Sequence, residues 1–142
     1  MQINKYLSWT YYMVDDVELD PLKVGKWMLF FNFNDQRTFF DKICEDVVIK
    51  KILQQTKCSS RPNPQGQGVA IFYLHIDDKH THKKIIKYFI ENNLIKKTKA
   101  GKFYNLSFKL DDQTRAGEYG DDFKAQLKLE EIINLSTGEF LI

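Results

Sequence analysis

An α+β domain built on a single mixed sheet, with helices packed mainly on one face, is the fold that the sequence predicts. The chain has 142 residues, of which 43% are hydrophobic and 14% aromatic, enough apolar material for one core. The predicted order β, β, α, β, α, β, β, α mixes adjacent strands with helical crossovers. No internal repeat or low-complexity linker interrupts it, so residues 1–142 are predicted to form one domain.

The first half of the chain predicts two strands and a long helix. Residues 7–14 combine aromatic and β-branched side chains, which is typical of a strand. Residues 26–33 form a nearly continuous apolar run, which suits a central strand. From residue 39 to residue 52 apolar side chains recur at three-and-four spacing, which predicts an amphipathic helix that ends near Gln55.

The second half begins with a polar loop and continues as alternating strands and helices. Residues 56–68 contain two prolines and two glycines, so we expect no regular structure there. Residues 69–76 are apolar and β-prone. Asp77 or Asp78 then caps a helix over residues 81–92, whose predicted inward side chains are Ile85, Ile86, Phe89 and Ile90. Four shorter pieces follow: strands over 103–110 and 123–129, a short helix over 130–135 and an extended end over 138–142.

Charge and cysteine usage narrow the class of protein. The net charge of +2 does not demand a nucleic-acid or membrane partner. Residues 79–102 are nevertheless rich in lysine and residues 110–142 in acids, which indicates either two solvated faces or a docking surface. The only cysteines, Cys44 and Cys58, lack zinc-ligand or disulfide spacing. With no secretory segment or membrane-length apolar run, we expect a soluble cytoplasmic protein.

The loop that follows residue 110 is the first candidate site, because a strand opens there into closely spaced polar groups and two glycines. Arg115 offers a planar fork to a phosphate or carboxylate, or forms a surface salt bridge. Asp111 and Asp112 bind Mg²⁺, bind a ribose hydroxyl or cap the turn. The predicted ligand-binding residues of this loop are Lys109, Asp111, Asp112, Thr114, Arg115 and Tyr119.

The loop over residues 56–68 is the second candidate site. Lys57 and Arg61 flank the hydroxyls of Ser59 and Ser60, and two glycines lie nearby, an arrangement that can cradle an anion if backbone amides converge. The glycine and lysine spacing of a phosphate-binding Walker loop is absent. The alternative is that this segment only connects two elements.

Metal and catalytic residues are not predicted. His80 and His82 lie two apart at a helix start, where side chains diverge, and no third ligand follows at a recognised spacing. We therefore assign no metal, no cofactor and no catalytic residue. Two alternatives stay open, His75 as a general base and Cys58 as a nucleophile beside basic residues.

Aromatic side chains could also bind a ligand, because stacking of a base on an aromatic ring contributes roughly 1–3 kcal/mol to the binding free energy. Most of the aromatic residues pack in the core by default. We expect ligand stacking only from Tyr119 and from one of Trp9, Tyr11 or Tyr12.

A family resemblance joins several of these features. Trp9 in the first strand, the block over residues 25–30, the strand over residues 69–76 and the segment 109–114 with Tyr119 resemble the basophilic leukaemia-expressed protein family, which is uncharacterised. That family is thought to share the fold of the cap-binding translation initiation factor 4E. The resemblance implies a curved, mostly antiparallel sheet backed by helices, with a concave ligand face.

The activity of that initiation factor is not expected here. Cap binding in its fold needs two loop tryptophans that sandwich a methylated base, whereas Trp9 and Trp27 lie within strand patterns. A pocket for another nucleotide or a phosphorylated small molecule is the expectation that the resemblance supports.

Three classes of function follow from these observations. The first is an intracellular protein that binds a nucleotide-like or phosphorylated ligand without catalysis, for example a phage or mobile-element factor that removes a signalling nucleotide in counter-defence. The second is an enzyme acting on a phosphorylated substrate or RNA, through Asp111, Asp112 or Glu118 with Mg²⁺, or through His75. The third is a protein-binding inhibitor or adaptor that docks through its charged surfaces.

Overall fold

A computed structural model describes residues 1–111 and 125–142. Within these residues seven strands form one antiparallel, unclosed sheet in the order β1-β2-β4-β5-β3-β6-β7, accompanied by two helices, which confirms the predicted α+β class. The elements are β1 (Gln2–Lys5), β2 (Trp9–Met13), β3 (Val24–Asn32), α1 (Phe33–Ile49), β4 (Gln55–Ser59), β5 (Gln67–His75), α2 (Lys79–Glu91), β6 (Ser107–Leu110) and β7 (Leu127–Lys128).

The chain divides into two compact units. Unit 1 comprises Met1–Glu18 and Met28–Tyr73, and unit 2 comprises Leu19–Trp27 and Leu74–Ile142. The single domain over residues 1–142 stays a prediction.

Helix α1 packs against strands β2 and β4 of unit 1. It begins after Asn32, whose side chain accepts a hydrogen bond from the Asp35 amide at 3.2 Å and so caps the first turn. It ends at Ile49, earlier than the predicted end near Gln55, because Lys51 turns into the left-handed region at φ 58°. The side chains that it buries are Phe40, Ile43, Cys44, Val47 and Val48.

Strand β4 lies in the segment that was predicted to be an irregular loop, and that prediction is wrong for its first residues. Thr56 and Cys58 are buried, and the Thr56 hydroxyl donates to the Cys44 carbonyl of α1 at 2.9 Å. Strand β4 also pairs on both sides, antiparallel to β2 and to β5. Two inward side chains and two partner strands outweigh the turn-forming residues that follow.

The irregular part of that segment therefore shortens to residues 60–66. Its turn is organised by Asn63, whose side-chain oxygen accepts from the amides of Gln65 at 3.0 Å and Gln67 at 2.8 Å. Gly66 completes the turn at φ +77°, a conformation that a residue with a side chain rarely adopts.

Strand β1 was not predicted. It pairs antiparallel with β2, and the connecting turn is closed by a 2.7 Å hydrogen bond from the Tyr6 amide to the Trp9 carbonyl. Its residues are mostly exposed, so no buried alternation marked the strand in the sequence.

Unit 2 is organised around α2 and β6. Asp78 caps α2 as predicted, accepting from the Thr81 amide at 3.1 Å, and the predicted inward residues Ile85, Ile86 and Phe89 are buried. Strand β6 begins at Ser107 rather than residue 103 and pairs with β3. In the described part of the predicted strand over 123–129, only Leu127–Lys128 is extended, and the predicted helix over 130–135 is a 3-10 turn at Leu129–Glu131.

Candidate functional site

One face of the sheet in unit 1 is open, and β2 shows why. Thr10 and Tyr12 are buried, whereas Trp9, Tyr11 and Met13 are half-buried. Successive side chains of a strand point to opposite faces, so the last three share one face. We call this side of unit 1 the open face and the side packed by α1 the covered face.

Lys57 brings a positive charge to the open face. It lies directly opposite Tyr11 across the β2–β4 pair and points away from its buried neighbours Thr56 and Cys58. Its ammonium lies 4.0 Å from the centre of the Trp9 ring and 5.5 Å from that of Tyr11. Attraction between the cation and the two π faces therefore holds the ammonium against the aromatic surface.

A pocket of about 690 Å³ opens on unit 1 beside Trp9, within the usual range of ligand sites. Among the described residues, Arg61 is the one charged residue of its lining, and Phe30, with 47% of its surface exposed, adds a second aromatic side chain. The residues that line it are Ser8, Trp9, Phe30, Ser59, Arg61, Pro62, Asn63, Pro64, Gln67, Gly68 and Val69.

A second pocket of about 570 Å³ adjoins the first, since Ser8 and Trp9 belong to both linings. Its walls are mainly aromatic and apolar. Tyr6 and Tyr11 meet there edge to face, with ring centres 5.6 Å apart. The lining consists of Tyr6, Leu7, Ser8, Trp9, Tyr11 and Met13.

The predicted anion cradle of hydroxyls and amides is not available for a ligand. The Ser59 hydroxyl accepts from the Val69 amide at 2.9 Å, and the Ser60 hydroxyl lies 3.0 Å from that of Thr10. The loop amides of residues 65–67 already donate within the turn at Asn63. Of the two predicted cations of this segment, Arg61 lines the larger pocket and Lys57 lies over the ring of Trp9.

On the covered face, by contrast, polar side chains are buried and the Tyr12 hydroxyl is hydrogen-bonded within the protein. The Tyr12 hydroxyl donates to the Asp41 carboxylate of α1 at 3.1 Å, and burial together with that carboxylate raises the pKa of Tyr12. Cys44 and Cys58 both have no exposed surface, and burial raises the pKa of the Cys44 thiol. Cys58 is thus closed to solvent, which overturns the alternative of a nucleophile at that position.

Two of the residues predicted for the loop that follows residue 110, Lys109 and Asp111, are described, and they belong to unit 2. Lys109 is 7% exposed within β6, opposite Lys26. Asp111 accepts from the Lys26 ammonium at 2.9 Å, so its carboxylate is held by an ion pair. Asp112, Thr114, Arg115 and Tyr119 lie outside the described residues.

Two of the three histidines of unit 2, His75 and His82, take part in hydrogen bonds within the protein. His75 accepts from the Asp20 amide at 2.7 Å through Nε2, which occupies the atom that a general base would use. The buried His82 accepts from the Trp27 indole at 3.0 Å, and burial lowers the pKa of its imidazole. Among the described residues no group of three or more histidines, cysteines or carboxylates is arranged to hold a metal ion.

No protein-family model matches the chain, and no curated protein sequence matches it either. Within residues 1–111 and 125–142, neither helix combines the length and apolar character that a membrane span needs.

Proposed function

We propose that this protein binds a nucleotide-like, phosphorylated ligand on the open face of unit 1 without catalysing a reaction. The observation that carries the proposal is the position of Trp9. This half-buried ring lines both pockets, with the guanidinium of Arg61 in one of them and the ammonium of Lys57 over its own face. An aromatic plane beside two cations is the combination that a base attached to phosphates requires.

Each side chain has a distinct part in the proposed complex. A base stacks on Trp9, which is worth roughly 1–3 kcal/mol. Arg61 presents a planar fork that can donate two parallel hydrogen bonds to a phosphate. Lys57 acts as a point charge beside the stacked base.

The lining chemistry favours binding over turnover. The described residues that line the two pockets include no carboxylate, histidine or cysteine, so their serine and tyrosine hydroxyls have no carboxylate or histidine in the lining to activate them as nucleophiles. A phage or mobile-element protein that sequesters a signalling nucleotide would need a site of this kind.

The resemblance to the initiation factor 4E-like fold remains part of the proposal, supported by one antiparallel sheet with two helices. A cap sandwich between two tryptophans is not part of it. Trp27 is 0% exposed and its indole N–H donates to His82, so only Trp9 is positioned to stack on a ligand.

Titration calorimetry with a panel of linear and cyclic nucleotides tests the proposal. We expect saturable binding to the wild-type protein and a loss of about tenfold or more in affinity for Trp9→Ala and for Arg61→Ala, because each removes a direct ligand contact. Lys42→Ala, on the exposed side of α1, removes one positive charge outside both linings and should bind like the wild type. Absence of binding across the panel, or equal losses in all three variants, would contradict the proposal.

A further inference from the structure

The two pockets of the open face differ in composition but share a wall. The larger one holds Arg61 and Phe30, and the smaller one holds Tyr6 and Tyr11. Each volume, about 690 and about 570 Å³, falls by itself within the 300–1,000 Å³ typical of a small-molecule site. A single nucleotide would therefore fill one pocket and leave the adjoining pocket empty.

We propose that the ligand is a dinucleotide, with one base in each pocket and Trp9 at the boundary between them; this inference rests on the proposed function. Both pockets supply aromatic rings to a base, Phe30 in the larger and Tyr11 in the smaller. The indole of Trp9 contributes to both.

The cations match the phosphates of such a ligand. A phosphodiester that joins two nucleosides crosses from one base to the next, so it passes the boundary at Trp9. The Lys57 ammonium lies 4.0 Å from the centre of that ring and can neutralise the linkage there. Arg61 in the larger pocket then receives a terminal phosphate.

The same observations favour a dinucleotide over a long single strand. Sites that follow a strand use a continuous basic groove along its backbone. Among the described residues the two linings together contain one charged residue, Arg61, and the smaller lining includes the apolar side chains of Leu7 and Met13. Arg61 in the larger lining and Lys57 over the ring of Trp9 provide two cations, and each pocket provides aromatic side chains for one base. This set matches a ligand of two nucleotides.

The test compares the affinities of three adenine probes for the full chain by calorimetry: adenosine monophosphate, 5′-phosphorylated diadenylate and octaadenylate. We expect the diadenylate to bind at least about fivefold more tightly than the monophosphate, since a second base stacks. We expect the octamer to gain no more than about tenfold over the diadenylate, as the number of equivalent registers allows.

Two variants test whether the tighter binding of the diadenylate comes from the smaller pocket. Tyr11→Ala should abolish the preference for the diadenylate over the monophosphate, measured as the ratio of the two affinities for that variant, so that any loss common to both probes cancels. Tyr104→Ala is the matched control, because this exposed tyrosine of unit 2 lines neither pocket. Circular dichroism verifies that each variant is folded.

The outcomes separate the two proposals. Equal affinities for monophosphate and diadenylate overturn the dinucleotide inference and leave the proposed function standing. An octamer that binds far more tightly than the diadenylate also overturns it, in favour of single-stranded nucleic acid. Failure of all three probes to bind, together with the wider nucleotide panel, overturns the proposed function itself.

Discussion

The two tryptophans of the chain lie in contrasting surroundings. Trp27 is fully buried in unit 2, edge to face with His82 and Phe108 at 5.8 and 5.3 Å, and its N–H donates to His82. Trp9 is half-buried in unit 1, and its ring faces a lysine ammonium and two pockets. The contrast teaches that the hydrophobic pattern of a strand does not decide whether its tryptophan packs in the core or can contact a ligand. What covers that face of the sheet decides it.

The largest effect should come from removing the buried ring. Trp27→Ala should lower the free energy of unfolding by about 3–5 kcal/mol, because it leaves a cavity and deprives the buried His82 of a hydrogen-bond donor. Urea denaturation measures this loss. Trp9→Ala, the matched change at the half-buried ring, should lose much less stability, and equal losses would erase the contrast between the two sites.

The packing beneath the larger pocket gives the next effect. A Cβ at Gly68 would lie 2.6 Å from the ring of Phe31, which itself stacks on Phe40 of α1 with centres 4.4 Å apart. Gly68→Ala should therefore destabilise the protein by about 1–3 kcal/mol through overpacking. Thermal denaturation of this variant against Gln65→Ala, an exposed loop change, checks the prediction; a neutral Gly68→Ala would mean that Phe31 is not tightly held.

The buried imidazole of unit 2 adds a pH dependence. Burial lowers the pKa of His82 in the folded state, so at acid pH the unfolded state binds more protons. Its contribution is fully present above about pH 6.5, the unfolded pKa, and is lost as the pH falls through that value toward the lowered folded pKa. Urea midpoints measured from about pH 7.5 to about pH 5, roughly one unit above and one and a half units below that value, should show this decline.

His82→Phe should flatten the decline, and the exposed His80→Ala should leave it unchanged. A slope that persists in His82→Phe would assign the titration to another group.

The smallest effect concerns the thiols of the covered face. Cys44 and Cys58 have no exposed surface, so a charged thiol reagent should label them only as fast as the protein opens. Ellman-type titration should find no rapidly reacting thiol in the native protein and both thiols in urea. Rapid native labelling of either residue would show that this face is accessible.

The fold was predictable where a capping residue stands directly before apolar residues at helical spacing. The helix capped at Asp78, with Ile85 and Ile86 inward, followed from spacing alone. Strand β4 did not, because only Thr56 and Cys58 alternate inward before the prolines begin. Its stability comes from two partner strands and α1, which are contacts between segments distant in sequence.

The candidate site was predictable in part for the same reason. Lys57 and Arg61 stand out by charge, and Trp9 was one of three expected stacking residues. The larger pocket depends on the pairing of β2 with β4, which brings Trp9 and Ser59 together and which the sequence does not encode locally. Phe30 was missed because it sits in an apolar run where both faces looked buried.

Tryptophan fluorescence tests the central claim most directly, because the chain has two tryptophans and one substitution isolates each. In Trp27→Phe, which keeps an aromatic ring in the core, Trp9 is the sole indole. Titration with the nucleotides that bind in calorimetry should quench its emission saturably, with the calorimetric affinity. In Trp9→Phe the remaining Trp27 should not respond. Quenching of Trp27, or an unresponsive Trp9 under conditions where calorimetry shows binding, would contradict a ligand site on the open face.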